Sequence, residues 1–225
     1  MSPAAPPPLD TSAPRHDNLL LVDHPAVADR VARLRDVATP SNAFRQLVSE
    51  ISALVAYEAL RDLRMADSVI DTPMATGVTA PRIDETVLLV PVLRAGLGMV
   101  QAIQELLPLT YVAHVGVRRN EVTHEPDVYL NRLPSDLAGR RVVVCDPMLA
   151  TGGSLAQVCT LASERGASDV TALCLIASVP GLEHFHSIHP GVRVACAAVD
   201  PALDDRAFIV PGLGDAGDRL FGPPD

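Results

Sequence analysis

A chain of 225 residues, 48% hydrophobic and 20% charged, has the length for one domain with a sizeable core. Its net charge of −9 speaks against a broad nucleic-acid-binding face. No apolar run reaches the roughly 18–20 residues of a membrane span and no secretory leader is visible, so a cytoplasmic protein with neither membrane nor nucleic-acid partners is expected. All 18 basic residues are arginine. That removes lysine Schiff bases, pyridoxal phosphate attachment and the Walker-type lysine clamp, so a bound anion has to be met by arginine, backbone amides or a metal.

Residues 1–15 are rich in proline and alanine and read as a disordered tail, leaving 16–225 as the folded domain. Helical spacing of Val27, Val31 and Leu34 predicts a helix over 25–38. Thr39-Pro40 then caps a second, long helix to about Met65, striped by Phe44, Leu47, Val48, Ile51, Leu54 and Val55. Beyond it the texture changes to near-continuous apolar runs at 86–93, 110–117, 141–146, 170–177 and 192–199, which read as strands buried on both faces. Helical patterns at 97–107, 153–165 and 180–188 separate them, and Gly166 closes the middle one. The alternation predicts an α/β fold, a mostly parallel doubly wound sheet flanked by helices. The polar stretch 118–140, with Pro126 and Pro134, is long for a connection and reads as a protruding arm or lid. Cys145, Cys159, Cys174 and Cys196 form no C-x-x-C pair and read as buried free thiols. His184, His186 and His189 are spaced i, i+2, i+5, which does not place them on one helix face; a solvated helix end is expected rather than zinc.

In open α/β sheets ligands gather where strands end, and three endings stand out. The run Val142–Cys145 stops at Asp146, then Pro147, Met148, Leu149 and Ala150 lead into Thr151-Gly152-Gly153-Ser154. Glycine amides, two hydroxyls and a helix start suit a phosphate monoester, whereas the acid suits a ribose diol. A plain capped helix after a tight turn is the alternative reading of the same residues. At the second ending, Arg94 precedes Ala95, Gly96 and Gly98, which permit close backbone approach; Gln101 stands where a dinucleotide fingerprint needs glycine. Arg119, at the next strand's end, is its candidate companion on a diphosphate. The third is the glycine-rich C-terminus, 208–222, held between Phe208, Ile209 and Val210 on one side and Leu220 and Phe221 on the other.

Taken together, "PVLRAGLGM", "RNE" with "EPDVY", "DPMLATGGS" and "IVPGLGDAGDRLFG" resemble the uracil phosphoribosyltransferase family over residues 18–222. The resemblance implies the phosphoribosyltransferase fold with a C-terminal base-binding loop. It implies transfer of phosphoribose from 5-phospho-α-D-ribosyl 1-diphosphate (PRPP) to N1 of uracil, giving UMP. By motif, Asp146 through Ser154 would bind the ribose 5-phosphate, and Arg94 and Arg119 the diphosphate. The family's uracil site falls on Ile209, Gly214, Asp215 and Ala216, and Asp215 also falls where the family meets PRPP. Arg94, Arg119, Asp146 and Asp215 are thus the expected catalytic set. Backbone donors and acceptors in that loop would match the acceptor-donor-acceptor edge of uracil and reject cytosine. Asp146-Pro147 replaces the double acid of many phosphoribosyltransferases, so no protein ligand is assigned to Mg²⁺, which is expected to arrive with PRPP. Arg118 stands where the family commonly has an aromatic, so a share for Arg118 in the Arg119 role stays open. Tyr129 fits a packing role as well as a catalytic one. The resemblance further implies a homodimer or larger assembly, an arm that closes over PRPP or joins subunits, and GTP as a candidate activator. An orotate or purine enzyme would share the phosphate turn but not the 209–216 loop, and a regulator binding RNA on this fold is disfavoured by the acidic balance.

Overall fold

The computed structural model describes residues 18–119 and 126–222. The tail at 1–15 and the centre of the 118–140 segment lie outside the described residues.

In chain order, β1 (Leu19–Leu21) precedes helices α1 (Pro25–Arg35) and α2 (Ser41–Ala59). A hairpin of β2 (Met65–Thr72) and β3 (Ala75–Ile83) follows, then β4 (Val87–Leu93) and α3 (Leu97–Leu106). Next come β5 (Thr110–Val112), β6 (Val115–Arg119), β7 (Pro126–Asn131) and β8 (Arg141–Cys145). A short β9 (Met148–Leu149) leads into α4 (Gly153–Ser163), β10 (Asp169–Leu173), β11 (Ile176–Ser178) and α5 (Val179–Ile188). The last elements are β12 (Arg193–Cys196), β13 (Ala198–Asp200), β14 (Ala202–Leu203), β15 (Ile209–Val210) and α6 (Ala216–Phe221).

The main sheet runs β1-β12-β10-β8-β4-β6-β7, with β5 also on β4. All its pairings are parallel except β6 with β7. Successive residues of β8 enter opposite layers. Val143 and Cys145 pack with Phe44, Ile51 and Met99 under α2 and α3, while Val142 and Val144 pack with Leu155, Leu182 and Phe185 under α4 and α5. Burial on both faces is why these strands read as unbroken apolar runs. The four cysteines are free and buried in these layers.

Three of the expected strands each divide: 110–117 into β5 and β6, 170–177 into β10 and β11, and 192–199 into β12 and β13. After Leu173 the amide of Cys174 still bonds Ala195, but Leu175 and Ile176 donate to Pro147, so the chain steps from the main sheet onto a small parallel sheet, β13-β11-β9. This second sheet sits at the carboxyl ends of the first and carries both Met148-Leu149 and Asp200.

The long helix ends at Ala59, not Met65. Met65 instead starts a hairpin whose pairing runs along 65–83 and which exposes Val69 and Met74, the latter 93% accessible. The expected protrusion at 118–140 begins as the edge hairpin β6–β7, and its later part folds back to bury Leu133 and Leu137. No helix among the described residues is long and apolar enough to cross a membrane.

Candidate active site

Asp146 follows the last residue of β8, at the carboxyl end of a central strand. The turn after it is seated on the start of α5. Ser178 Oγ donates to the Ala150 carbonyl at 2.6 Å and accepts from the Gly181 amide at 2.9 Å. Gly181 leaves no room for a Cβ against that carbonyl, and a Cβ on Gly152 would lie 2.6 Å from the Gly181 oxygen. Gly152 has φ 78°, the left-handed region that glycine enters without strain, and heads α4 with no capping side chain. The first amides of that helix are therefore open to an anion, reinforced by the helix dipole. Ser178 was not visible as a site residue in the sequence, although Ser178-Val179-Pro180-Gly181 carries a helix-start signal.

Asp146 accepts from the Met148 amide at 3.2 Å, and among the described residues no cation pairs with it. Loss of solvent pushes its carboxyl up to about 7, partly offset by that backbone bond. Part of its surface stays open to a cavity of about 250 Å³. Ala95, Met148 and Ala150 share this wall, and the facing wall is Ile209, Gly214, Asp215, Ala216 and Gly217. The fold thus brings the turn after β8 and the C-terminal loop together from distant parts of the chain.

Arg206, Ala207 and Phe208 also line the cavity. Asp204 Oδ1 accepts the amides of Arg206 and Phe208, forming the tight turn between β14 and β15, and Ala207 at its corner has φ 64°. The Arg206 guanidinium lies 5.2 Å from the Phe208 ring centre. Sequence reading treated Phe208 as an anchor and gave Arg206 no role, since nothing local marks a turn residue as facing a distant strand end.

The C-terminal loop is anchored twice. Asp215 Oδ1 caps α6 by accepting from the Asp218 amide at 2.9 Å. Arg219 donates to the carbonyls of Leu34, Leu213 and Asp36, and its guanidinium lies 4.2 Å from the Phe44 ring centre.

Arg94 stands exposed just past β4 and meets Asp218 at 3.3 Å. Gly96 packs against the Cys145 carbonyl, so the Arg94 turn abuts the end of β8. Gly98 serves helix packing instead of ligand approach, since a Cβ there would lie 3.0 Å from Leu220. Arg119 ends β6, the strand beside β4, but its side chain lies outside the described residues. Arg118 pairs with Asp127 at 2.8 Å across the hairpin. The Tyr129 ring lies over Gly116, a packing contact. His189 bonds Thr160 Oγ1 and the Ala156 carbonyl, tying α5 to α4. Among the described residues no group of three His, Cys, Asp or Glu converges as a metal site would.

A family model described as "Uracil phosphoribosyltransferase" matches residues 21–223. A relative of that name from Kineococcus radiotolerans is 49% identical over 211 residues, covering 91% of this chain and 98% of its own. One from Clostridium perfringens is 47% identical over 201 residues, with 89% and 96% covered. The solved AQ2163 protein from Aquifex aeolicus superposes with a TM-score of 0.85 at 32% identity, covering 91% of this chain and 98% of that one.

Proposed function

The chain belongs to the uracil phosphoribosyltransferase family, and on that basis we propose how its site transfers phosphoribose from PRPP to N1 of uracil. The observation that carries the reading is the cavity in which Asp146 faces the 209–216 loop. A sugar held on one wall then presents its anomeric carbon to a base held on the other.

The open amides at the start of α4, with Thr151 and Ser154, hold the 5-phosphate. Asp146 accepts from the ribose hydroxyls, and repulsion keeps it off the phosphate. Arg94, released from its exposed contact with Asp218, and Arg119 meet the diphosphate. As the anomeric C–O bond breaks, positive charge grows on the ribose and negative charge on the departing diphosphate; uracil N1 forms the new bond and its proton is lost. Fixed arginines opposite the leaving group stabilise that charge, so positioning and electrostatics supply the rate. Asp146 and Asp215 place hard carboxylate oxygens on the cavity, but the first is taken up by the ribose and the second caps α6, so Mg²⁺ would be held mainly by the oxygens of PRPP. When bound, the metal neutralises diphosphate charge.

Base choice falls to backbone groups around Ile209 and Gly214–Ala216. A backbone N–H facing O4 of uracil would face the amino group of cytosine, leaving both donors unpaired. The reading also includes a homodimer or larger assembly, GTP as an activator and a cytoplasmic location, supported respectively by the exposed 65–83 hairpin, by the family resemblance and by the free thiols. The purified protein, given uracil, PRPP and Mg²⁺, is expected to form UMP. A folded protein that forms none overturns the proposal.

A further inference from the structure

The loop that faces Asp146 is held from behind by an ion pair that does not touch the cavity. Gly212, buried and at φ 55°, turns the chain back onto Ile209 so closely that a Cβ would strike the Ile209 carbonyl. Both of its backbone polar groups are taken. Its amide donates to Asp200 Oδ2 at 2.9 Å, and its carbonyl accepts from Arg35 Nη1 at 2.8 Å. Arg35 in turn grips Asp200 through both nitrogens, at 2.6 and 2.7 Å. The Asp200 side chain is 2% exposed and that of Arg35 13%. The result is a closed bracket around one peptide, with planar guanidinium and carboxylate groups fixing its direction.

What the bracket connects matters more than its strength. Asp200 ends β13, which pairs with β11, which pairs with β9. Residue Met148 of β9 lies on the sugar side of the cavity, two positions after Asp146. Arg35 ends α1, whose neighbouring carbonyls at Leu34 and Asp36 are held by Arg219 of α6. The base loop is thus tied through Gly212 to the small sheet that carries the sugar turn at its far edge. Buried ion pairs add little net stability over apolar substitutes, and here Arg35 Nε is enclosed without a partner. Fixed direction is what the pair delivers.

We infer that Arg35 and Asp200 are positioning residues for base recognition: by orienting the Gly212 peptide they set the spacing between the base-reading groups at 209–216 and the sugar turn. The inference rests on the function proposed above and adds residues outside the cavity to its specificity. It predicts effects chiefly on uracil, Asp215 being the one loop residue also assigned to PRPP. PRPP is held by Arg94, Asp146 and the start of α4, none of which the pair touches.

The test is steady-state kinetics of Arg35→Lys, Arg35→Met and Asp200→Asn beside the wild-type protein, with uracil and PRPP each varied. The KM for uracil should rise about tenfold or more in Arg35→Met and Asp200→Asn, and less in Arg35→Lys, which keeps the charge but not the fork. The KM for PRPP should stay within about twofold, and preference for uracil over cytosine should fall. A pair that merely holds the fold would lower thermal stability and active fraction without moving the KM for uracil or the preference. That outcome overturns the inference. If the variants do not fold, amide exchange in the wild-type protein decides: the Gly212 amide should exchange as slowly as core amides, and exchange at the rate of an unstructured glycine also overturns it. A wild-type protein that makes UMP while the variants keep their KM for uracil sinks this inference and leaves the function standing; a wild-type protein that makes none sinks the function itself.

Discussion

Replacing Asp146 with Asn separates what the fold needs from what the reaction needs. The carboxyl sits among Cys145, Met148 and Ala150 with one backbone bond for support, and burial pushes it from an ordinary 3.8 up to about 7. A rise of that size corresponds to roughly 4 kcal/mol of destabilisation when the group is ionised. Because the carboxyl keeps contact with the cavity, about half of this is expected in practice. The folded state holds the proton more tightly than the unfolded chain, so stability falls as pH rises from about 4 to about 7 and the full cost applies above 7. Asparagine accepts the same Met148 bond without the charge. Thermal unfolding should therefore show Asp146→Asn more stable than wild type by roughly 4–8 °C at pH 8, a gain that shrinks toward zero at pH 4. The same variant should lose PRPP affinity, because the amide offers one acceptor oxygen, already engaged by the Met148 amide, and no charge, where the carboxylate offers a second oxygen to the ribose hydroxyls. Wild-type PRPP binding should weaken below pH 7 as the carboxylate protonates, and the variant should lack that dependence. A variant that is no more stable at pH 8, or whose gain does not vary with pH, refutes the argument from burial. Unchanged PRPP kinetics refute the ribose role.

Arg94→Ala should cut kcat/KM for PRPP by about 100-fold in the same kinetic assay. Its unfolding temperature should barely move, since the exposed contact with Asp218 is worth at most about 1 kcal/mol; a large stability loss would show Arg94 to be structural. Gly181→Ala places a methyl group against the Ala150 carbonyl and should displace the phosphate turn. It should lower PRPP affinity about tenfold or more, whereas the same change at the open Gly191 should leave it unaltered; equal effects would deny the seating of the turn on α5. Burial holds the Cys145 and Cys159 thiols up at about 12, so a thiol reagent should leave all four cysteines unmodified in the native protein and label all four after denaturation. Rapid native labelling would contradict the packing of both layers.

The features legible in the sequence were those written in consecutive residues. Val142–Cys145 announced a doubly buried strand, and an acid followed by Thr151-Gly152-Gly153-Ser154 announced a tight turn into a helix, because periodicity and turn chemistry are local. The long, specific C-terminal motif pointed in the same way to the family, and the cavity places its loop opposite Asp146. The 65–83 hairpin escaped because Met65–Thr72 runs in apolar and polar pairs that are mostly exposed, so neither an alternating pattern nor a core-facing stripe marks it. Its first residue was absorbed into the preceding helix.

Tertiary structure alone decided the contacts that join distant segments. Arg35 reaches Asp200 across 165 positions and Gly212 across 177, and Arg219 reaches Leu34 across 185. Arg206, one arginine among eighteen, gains meaning only when the β14–β15 turn swings it to the end of β8. Composition and spacing marked which residues are candidates for phosphate, sugar and base. Their mutual distance, on which bond transfer depends, came from a sheet order that sets β8 between β4 and β10 and stacks a second small sheet at their ends. Spacing along the chain records nothing of that distance, because chain closure allows many folds to bring the same residues near and packing selects one.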